Sequence, residues 1–290
     1  MGQFAESFCG EWPFFIPLQH KNDTTMTDIL TRFDPITLEQ MSDVRLLNRT
    51  DTKFVTTLPQ LRSLLEMARG DYYVQDIDGE RIAPYYTVYF DTDDCAMYHR
   101  HEAGHTNRQK LRIRSYVNAG LNFLEVKTKN NHGRTKKKRM AIDGFDPLHP
   151  QHDIRFRCQD ARYESYDEFL RACLHYDPQT LTEQLENRFD RITLVNKGKT
   201  ERLTIDTNLR FHNIVTDDFR FMEDVVIIEL KRDGNVPSPI LALLRDLRIK
   251  PHGFSKYCIG SAFTNEALRR NRIKPKLRDI EKIIRLKIEN

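Results

Sequence analysis

Charged residues alternate with apolar or neutral ones in five separate segments of the chain. The segments are Arg49–Lys53, Lys110–Arg114, Glu125–Lys129, Arg202–Asp206 and Ile228–Lys231. Because a β-strand points residues i and i+2 to the same face, each segment predicts a strand with one charged and one largely apolar face. One such strand is ordinary at a surface, but five in one chain predict a sheet with a common basic face. A basic concave face of this kind is suited to binding a polyanion.

The overall composition permits such a face but does not create it. With 290 residues, the chain is long enough for one large domain or two small ones with a real hydrophobic core. Hydrophobic residues make up 39% and charged residues 30%, which excludes a wholly disordered chain. The formal net charge is only +4, so a strongly positive surface requires that the basic residues cluster.

The cysteines and the N-terminal segment bear on the cellular compartment. The five cysteines are widely spaced and include no Cys-x-x-Cys, which disfavours a disulfide scaffold or zinc ribbon and favours a reducing compartment. No apolar run approaches the ~20 residues that span a bilayer. Glu6 and Glu11 interrupt the aromatic N-terminus, which has no basic leader and makes a poor signal peptide. We therefore expect a cytoplasmic protein without a membrane span, in which residues 1–27 form a loosely ordered N-terminal extension.

Local signals divide the remainder, residues 28–290, into the strands and helices of a single domain. Capping boxes at Thr37–Gln40 and Ser165–Glu168 and a cap at Thr57 predict three helix starts. Asn118–Gly120 predicts the turn of a β-hairpin.

Four further predictions concern the second half of the chain. The sequence predicts helices over Asp177–Asn187, Ser261–Arg272 and Pro275–Ile288, and a loop over Gly253–Tyr257. The strands fall into two groups, with helices between and after them. This arrangement predicts an α+β fold built on one large, mostly antiparallel sheet rather than alternating parallel βαβ units.

Acidic residues share the predicted charged faces. Asp51, Glu125, Asp206 and Glu229 occupy the same alternation as the lysines and arginines. A mixed face suits phosphate together with a divalent metal, because carboxylate oxygens bind Mg²⁺ or Mn²⁺ and the metal bridges phosphate oxygens. If the sheet closes into a barrel with this face inward, the charges line a wet or polyanion-filled tunnel. The apolar faces then pack outward under the helices.

Seven motifs in fixed order extend this pattern into a family resemblance. They are Arg49–Phe54, Tyr89–Thr92, Lys110–Arg114, Phe123–Lys127, Arg202–Asp206, Ile227–Lys231 and Phe254–Tyr257. In this order, between residues 32 and 263, the chain resembles VTC domains. These are the polyphosphate-polymerase members of the triphosphate tunnel metalloenzyme, or CYTH-like, superfamily.

The resemblance implies both a fold and an activity. The implied fold is a closed, mostly antiparallel β-barrel tunnel of about eight strands, with a basic interior and flanking helices. The implied activity is transfer of the terminal phosphoryl group of ATP to a growing polyphosphate chain, assisted by Mn²⁺ or Mg²⁺. The implied partners are ATP and inorganic polyphosphate, with no specific nucleic acid.

The resemblance also implies which residues carry the activity. The phosphate-binding catalytic residues would be Lys53, Arg112, Arg114, Lys127, Arg191, Arg202 and Lys256. Further substrate contacts would come from Lys137, Arg139, Ser255 and Lys231, although Lys136 and Lys138 remain alternatives to the first two. The metal-binding carboxylates would be Glu229 and Glu125.

Two other functions remain open at this stage. One is a metal-dependent hydrolase of triphosphate or polyphosphate acting in the same tunnel. Hydrolytic members of the superfamily have Glu-x-Glu-x-Lys on the first strand, whereas this chain has Arg49, Asp51 and Lys53 there, which favours the polymerase branch. The other is a non-enzymatic binder of polyphosphate, another polyanion or RNA. RNA binding favours exposed aromatic residues on the basic strands, and only Tyr116 offers itself.

Two chemistries are disfavoured by the motifs. The chain has no Gly-x-x-x-x-Gly-Lys loop, which argues against a P-loop kinase. His99, His101 and His105 lie close together, but their segment is polar and has no cysteine, so we do not predict a zinc site there.

Overall fold

The computed structural model describes residues 21–42, 49–132, 134–147, 157–158, 165–234 and 236–285. Within these ranges the helices are α1 Lys21–Thr31, α2 Leu38–Ser42, α3 Leu58–Ala68, α4 Ala96–Glu102, α5 Tyr166–Cys173, α6 Pro239–Asp246, α7 Lys256–Thr264 and α8 Lys274–Arg285. The strands are β1 Asp34–Ile36, β2 Arg49–Thr57, β3 Tyr72–Gln75, β4 Ala83–Thr92, β5 Arg108–Tyr116, β6 Leu121–Lys129, β7 Thr135–Asp143, β8 Arg157–Cys158, β9 Leu181–Asn196, β10 Glu201–Asn213, β11 Asp218–Met222 and β12 Val225–Asp233. No helix in this part of the chain is long and apolar enough to cross a membrane.

All twelve strands belong to one sheet. The main path runs β2-β12-β10-β9-β4-β5-β6-β7-β8, with β11 beside β10 and β3 joining β1 to β9. Every ladder is antiparallel except the short one between β1 and β3. The structure confirms the predicted α+β fold with a large, mostly antiparallel sheet.

The sheet is strongly curved, so that β2 and β5 face each other across its concave side. In a flat sheet the five inter-strand steps from β2 to β5 would span about 24 Å. Instead, Lys53 of β2 and Lys110 of β5 reach consecutive residues of the chain, Phe254 and Ser255. Register shifts in β10 and β4 add local bending to the twist of the sheet. We call the resulting concave face the trough.

The predicted closure into a barrel of about eight strands is not confirmed. No ladder joins β2 to β7 or β8 among the residues with described positions. The outer edge of β2 is instead used by the segment before α7, since the His252 amide donates to the Lys53 carbonyl at 2.8 Å and Phe54 bridges Pro251. A chain segment therefore occupies the edge that barrel closure would require.

The apolar faces of the strands lie on the convex side, as predicted. Leu203, Ile205, Ile228 and Leu230 pack in one cluster with residues of α1, α3 and α6. Leu111, Ile113 and Val126 pack in a second cluster with Phe169 and Leu170 of α5. Helices α1, α3, α5 and α6 thus cover the outside of the sheet and leave the charged side of the strands facing the trough.

Local signals identified several element boundaries correctly. Thr37 and Gln40 form the reciprocal hydrogen bonds of a capping box, and the Thr57 and Ser165 side chains cap α3 and α5. The β5–β6 hairpin turns at Gly120, which has a positive φ of 60°. Helix α1 begins inside the segment predicted as a loose extension, and its Met26 is buried in the core. Residues 1–20 of that segment lie outside the described residues.

Two predicted boundaries were wrong. The helix predicted over Asp177–Asn187 is a 3-10 turn at Pro178–Thr180 followed by the long central strand β9. The loop predicted to Tyr257 and the helix predicted from Ser261 are replaced by α7, which begins at Lys256 and contains Gly260. A Cβ at Gly260 would lie 2.8 Å from Leu185 Cδ2 and would also collide with Phe211, so glycine allows α7 to sit directly on β9 and β10.

Candidate functional site

Strand β5 forms one wall of the trough. Its side chains alternate regularly between half-buried and buried from Arg108 to Tyr116. The half-buried set facing the trough includes Arg108, Lys110, Arg112 and Arg114, whereas Leu111 and Ile113 face the convex core. The alternation predicted from the sequence therefore places Lys110, Arg112 and Arg114 beside one another on one surface, and Arg108 joins them by the same periodicity.

Glu125 of β6 organises two cations of this wall. Arg112 donates from Nε and Nη2 to Glu125 Oε2 at 2.8 and 2.6 Å, and Lys137 donates to Oε1 at 3.0 Å. The Glu125 side chain is only 1% exposed. Burial alone would raise the pKa of Glu125, but Arg112, Arg114 and Lys137 lower it to about 2. The carboxylate is therefore ionised and fixes the position of Arg112 in the absence of ligand.

The register of β7 distinguishes between the alternative lysines of the basic segment. Lys137 lies opposite Lys127, and Arg139 lies opposite Glu125. Both therefore share the trough face of β6, and the Arg139 guanidinium lies 4.5 Å from the ring centre of Phe123. Lys136 and Lys138 point to the other face of the strand.

Asp206 of β10 organises the opposite wall. Arg191 of β9 donates to it from Nε at 2.6 Å and from Nη2 at 2.9 Å, and Lys256 at the start of α7 contacts its Oδ2. Burial alone would raise the pKa of Asp206, but Arg191 and Lys256 hold it below its ordinary value. This second carboxylate also holds two cations in place.

Glu229 of β12 is less enclosed than the other two acids. It lies opposite Lys53 of β2 and Thr204 of β10, and its Oε2 is 3.2 Å from Lys231 Nζ. Its side chain is 21% exposed. Burial alone would raise the pKa of Glu229, but Lys53 and Lys231 lower it. Glu229 is thus an ionised carboxylate at the surface of the trough. On the neighbouring strand β10, Arg202 lies opposite Lys231 of β12.

Arg114 differs from Arg112 and Arg191 because, among the residues that the structure describes, no carboxylate forms an ion pair with it. Its Nε is buried and has no hydrogen-bond partner in the part of the chain that the structure describes. Burial and the neighbouring Arg112 lower its pKa. A buried guanidinium nitrogen without an acceptor indicates a place where an anionic oxygen would fit, because leaving the donor unpaired costs free energy.

The N-terminus of α7 closes one end of the trough. The Ser255 side chain caps the helix by accepting from the Cys258 amide, and it also accepts from Lys110 Nζ at 2.6 Å. Lys53 Nζ donates to the Phe254 carbonyl at 2.9 Å. The predicted residues Lys53, Ser255 and Lys256 are therefore brought together at this end.

Sequence reasoning missed three cationic or titratable residues near the same end. Lys110 belongs to the alternation that singled out Arg112 and Arg114, so the sequence did contain a signal for it. Lys276 of α8 and His101 of α4 come close only through tertiary packing. The pKa of His101 is lowered by Lys110, by burial, and by Arg108, Lys276 and Lys53, which indicates that these cations converge around its ring.

The carboxylates of the trough differ in how well they suit the predicted divalent metal. No cluster of three His, Cys, Asp or Glu side chains suited to a metal occurs among the described residues, and this includes the region of His99, His101 and His105. Both oxygens of Glu125 already accept hydrogen bonds from cations, which leaves little room for a metal. Glu229 fits better, because Mg²⁺-type ions commonly use one or two carboxylates and take further oxygens from phosphate.

Aromatic residues line the other end of the β5 wall. Tyr116 lies with its ring centre 4.9 Å from that of Tyr85 and 5.8 Å from that of Phe123. Tyr85 in turn stacks on Phe189 at 5.2 Å. The aromatic residue considered for base stacking thus already packs against two other rings.

The chain was compared with protein families and with curated proteins. The model of the VTC domain family matches residues 48–265, which is more than half of the chain. The matched range contains every predicted site residue. No curated protein matches the chain.

The chain is similar to several solved structures at low sequence identity. A proposed adenylyl cyclase from Hippeastrum with a dominant triphosphatase activity is 15% identical, with a TM-score of 0.44 over 74% of this chain and 95% of that one. A proposed adenylate cyclase from Vibrio parahaemolyticus is 10% identical, with a TM-score of 0.40 over 73% and 96%. A conserved hypothetical protein from Pyrococcus furiosus is 12% identical, with a TM-score of 0.36 over 71% and 97%.

Proposed function

The chain belongs to the VTC domain family, and from this premise we propose that it is a polyphosphate polymerase. It transfers the terminal phosphoryl group of ATP to a polyphosphate chain held in the trough. The new bond joins a terminal oxygen of the acceptor chain to the γ-phosphorus of ATP. The bond from that phosphorus to the bridging oxygen breaks, and ADP leaves.

The observation that supports this proposal most directly is that the buried Arg114 guanidinium has an unused hydrogen-bond donor among the described residues. Its buried Nε lacks an acceptor within the described residues, and Arg112 and Arg191 are close enough to affect its pKa. A triphosphate supplies several anionic oxygens, each of which can accept hydrogen bonds from these guanidinium groups. A neutral ligand would leave the same charges uncompensated.

The carboxylates prepare the donor site before the substrate binds. Glu125 orients Arg112, and Asp206 orients Arg191, each through two charge-assisted hydrogen bonds. Phosphoryl transfer needs positioning and neutralisation of charge more than covalent chemistry. We propose that Arg112, Arg114, Arg191 and Lys127 hold the donor triphosphate and stabilise the charge that develops on the transferred group.

The acceptor explains why no nucleophile–base pair is required. The end of a polyphosphate chain is already anionic at neutral pH, so no side chain has to remove a proton from it. Lys137, Arg139, Arg202 and Lys231 lie along the two walls of the trough and would bind the chain as point charges or guanidinium contacts.

A divalent metal fits this scheme at one carboxylate. We propose that Glu229 would hold Mn²⁺ or Mg²⁺ together with phosphate oxygens, where the metal would supply additional neutralisation of phosphate charge. The enclosure of Glu125 by Arg112 and Lys137 favours an orienting role for that residue instead.

The proposed function is tested by the products formed from ATP. Purified protein is incubated with ATP and Mn²⁺, with Mg²⁺ in parallel, and the products are separated on a gel that resolves polyphosphate length. Growing chains and equimolar ADP are the expected result. Free phosphate without chains would identify a hydrolase, and unchanged ATP in the presence of tight polyphosphate binding would identify a non-enzymatic binder.

A further inference from the structure

Three lysines from different elements converge on the short segment Gly253–Ser255. Lys53 of β2 donates to the Phe254 carbonyl at 2.9 Å, and Lys110 of β5 donates to Ser255 Oγ at 2.6 Å. Lys276 of α8 lies over the first residue of the segment, since a Cβ on Gly253 would be 3.1 Å from Lys276 Nζ. The absence of a side chain at residue 253 therefore leaves the space that the Lys276 ammonium occupies.

These three ammonium groups lie close together without a directly bonded acid in the described part of the chain, although Lys53 lies opposite Glu229 in the ladder. Within the described ranges, no ion pair to Asp or Glu involves Lys53, Lys110 or Lys276. This contrasts with Lys137, Lys231 and Lys256 elsewhere in the trough, each of which pairs with an acid. Like charges held together at a half-buried place repel one another, and an anion bound among them relieves the repulsion.

The surroundings of the cluster carry the same positive sign. Burial, Lys127, Lys53 and Arg108 lower the pKa of Lys110 to about 7. His101 faces Lys110, Arg108, Lys276 and Lys53, and its buried Nδ1 has no hydrogen-bond partner in the described structure. Positive charge therefore surrounds the segment from β2, β5 and α8, the neutral ring of His101 on α4 lies among these cations, and the capped N-terminus of α7 adds its own partial positive charge.

We propose that Lys276 and Lys110, together with Lys53, form a second anion subsite that binds the polyphosphate chain beyond the donor site. This inference rests on the proposed function for the identity of the polymer. Along β5, Arg114 and Lys110 are separated by four residues, or about 14 Å of strand. An extended chain of phosphates bridges the two positions and continues to Lys276 of α8, whereas a compact donor held by Arg112, Arg114, Arg191 and Lys127 extends no further than the neighbourhood of Lys110. The subsite therefore contributes to binding of long chains and not of short ones.

The experiment measures binding without ATP, so that it does not depend on catalysis. Wild type and Lys276→Gln are titrated by calorimetry with tripolyphosphate and with long-chain polyphosphate at several salt concentrations. The matched control is Lys274→Gln, an exposed lysine on the same helix. Lys276→Gln is expected to weaken long-chain binding about fivefold, corresponding to about 1 kcal/mol. The slope of log binding constant against log salt concentration should decrease in magnitude by about one, because one phosphate contact is lost. Tripolyphosphate binding should change by less than about twofold.

The outcomes separate the subsite from the proposed function. Equal weakening of short- and long-chain binding, no weakening, or the same weakening in Lys274→Gln would overturn the subsite. Retention of long-chain affinity in Lys276→Arg supports it, since the charge is kept. If the binding pattern holds but the ATP assay yields no polymer, the subsite stands and the polymerase proposal fails. A folding check by circular dichroism accompanies each variant, and Lys110→Gln gives a second test from the sheet side of the cluster.

Discussion

The trough holds its cations in two different ways. In the middle of the two walls, Arg112 and Arg191 are each fixed by a buried carboxylate, Glu125 or Asp206. Arg114, Lys53 and Lys110 form no ion pair with a carboxylate within the described residues. We call the first group anchored cations and the second group unanchored cations.

The difference separates stability from function along one surface. An anchored cation compensates a buried acid, so its loss leaves an uncompensated charge and destabilises the fold. An unanchored cation is compensated only when an anion binds, so its loss harms binding more than folding. The four predictions below test this distinction, from the largest expected effect to the smallest.

The largest effect is expected for an unanchored cation in the donor site. Arg114→Ala should lower the rate of ATP-dependent synthesis by about 10³-fold, equivalent to about 4 kcal/mol, because a guanidinium facing the transferred group is lost. Its free energy of unfolding should stay within about 1 kcal/mol of wild type, since no carboxylate is left unpaired. Steady-state kinetics and urea unfolding measure the two quantities. Arg278→Ala, at an exposed arginine of α8, serves as the control. Strong destabilisation by Arg114→Ala would contradict the distinction between anchored and unanchored cations.

The second effect concerns an anchoring carboxylate. Asp206→Asn should destabilise the protein by about 3 kcal/mol at pH 7, because Arg191 and Lys256 remain buried beside a neutral amide. The folded pKa of Asp206 lies below its unfolded value. Its stabilising contribution is therefore fully present above the unfolded pKa of about 3.9 and is lost as the pH falls toward the folded pKa.

Urea unfolding at a series of pH values measures this contribution. The difference between wild type and Asp206→Asn should shrink under acid conditions. Asp279→Asn is the control, because the Asp279 side chain is largely exposed. A difference that is constant down to pH 2, or no difference at neutral pH, would show that Asp206 does not anchor its two neighbours.

The third effect compares the two carboxylates that the sequence predicted as metal ligands. Glu229→Gln should raise the Mn²⁺ concentration needed for half-maximal synthesis by about tenfold, because the proposed metal ligand is removed. Glu125→Gln should lower the rate and the stability without changing the Mn²⁺ requirement, since its oxygens hold Arg112 and Lys137. Metal titrations of both variants make the comparison. The reverse pattern would assign the metal to Glu125.

The smallest effect concerns an unanchored lysine and pH. Because the folded pKa of Lys110 is lowered to about 7, the unfolded chain binds more protons than the folded one between that value and the ordinary lysine pKa. Lys110 should therefore make wild type more stable as the pH rises from 7 to 10. Lys110→Met should remove on the order of 1 kcal/mol of that rise. Thermal unfolding across this pH range tests the difference, and parallel curves for the two proteins would contradict it.

The charged face of the sheet could be predicted because it depends on a local periodicity. The two-residue repeat of β5 alone fixed the sides of Arg112, Arg114, Leu111 and Ile113, whatever the global fold. The hairpin after Tyr116 was equally local. Whether the sheet closes depends instead on contacts between distant segments, such as the pairing of β2 with His252, and no local pattern encodes those contacts.

The wrong helix at residues 177–187 shows tertiary structure overriding propensity. Leu181–Asn187 is rich in Leu, Glu and Gln, which favour helices in isolation. In the structure this segment is the start of β9, which lies between β4 and β10 and hydrogen-bonds to both. Two long ladders on either side outweigh a helix propensity of a few tenths of a kcal/mol per residue.

The sequence indicated the site residues that lie on strands, where the two-residue repeat determines the face of each side chain. It did not identify the site residue that α8 contributes. Nothing in the basic, amphipathic sequence of α8 distinguishes Lys276 from Lys274 or Lys282. Only the packing of α8 against Gly253 makes that difference. The predicted metal role of Glu125 likewise could not be judged from the sequence, because two carboxylates with the same alternation differ only in their neighbours.

The glycine in α7 has a consequence for how the protein can vary. Gly260 contacts Leu185 and Phe211 rather than any charged group, yet it determines how closely α7 approaches the sheet. Even alanine at this position would lift the helix, and Ser255 and Lys256 at its start would move with it. The choice of residue at position 260 is therefore constrained by the position of the trough residues, although the residue itself has no chemical role. Larger residues at position 260 should move Lys256 away from Asp206.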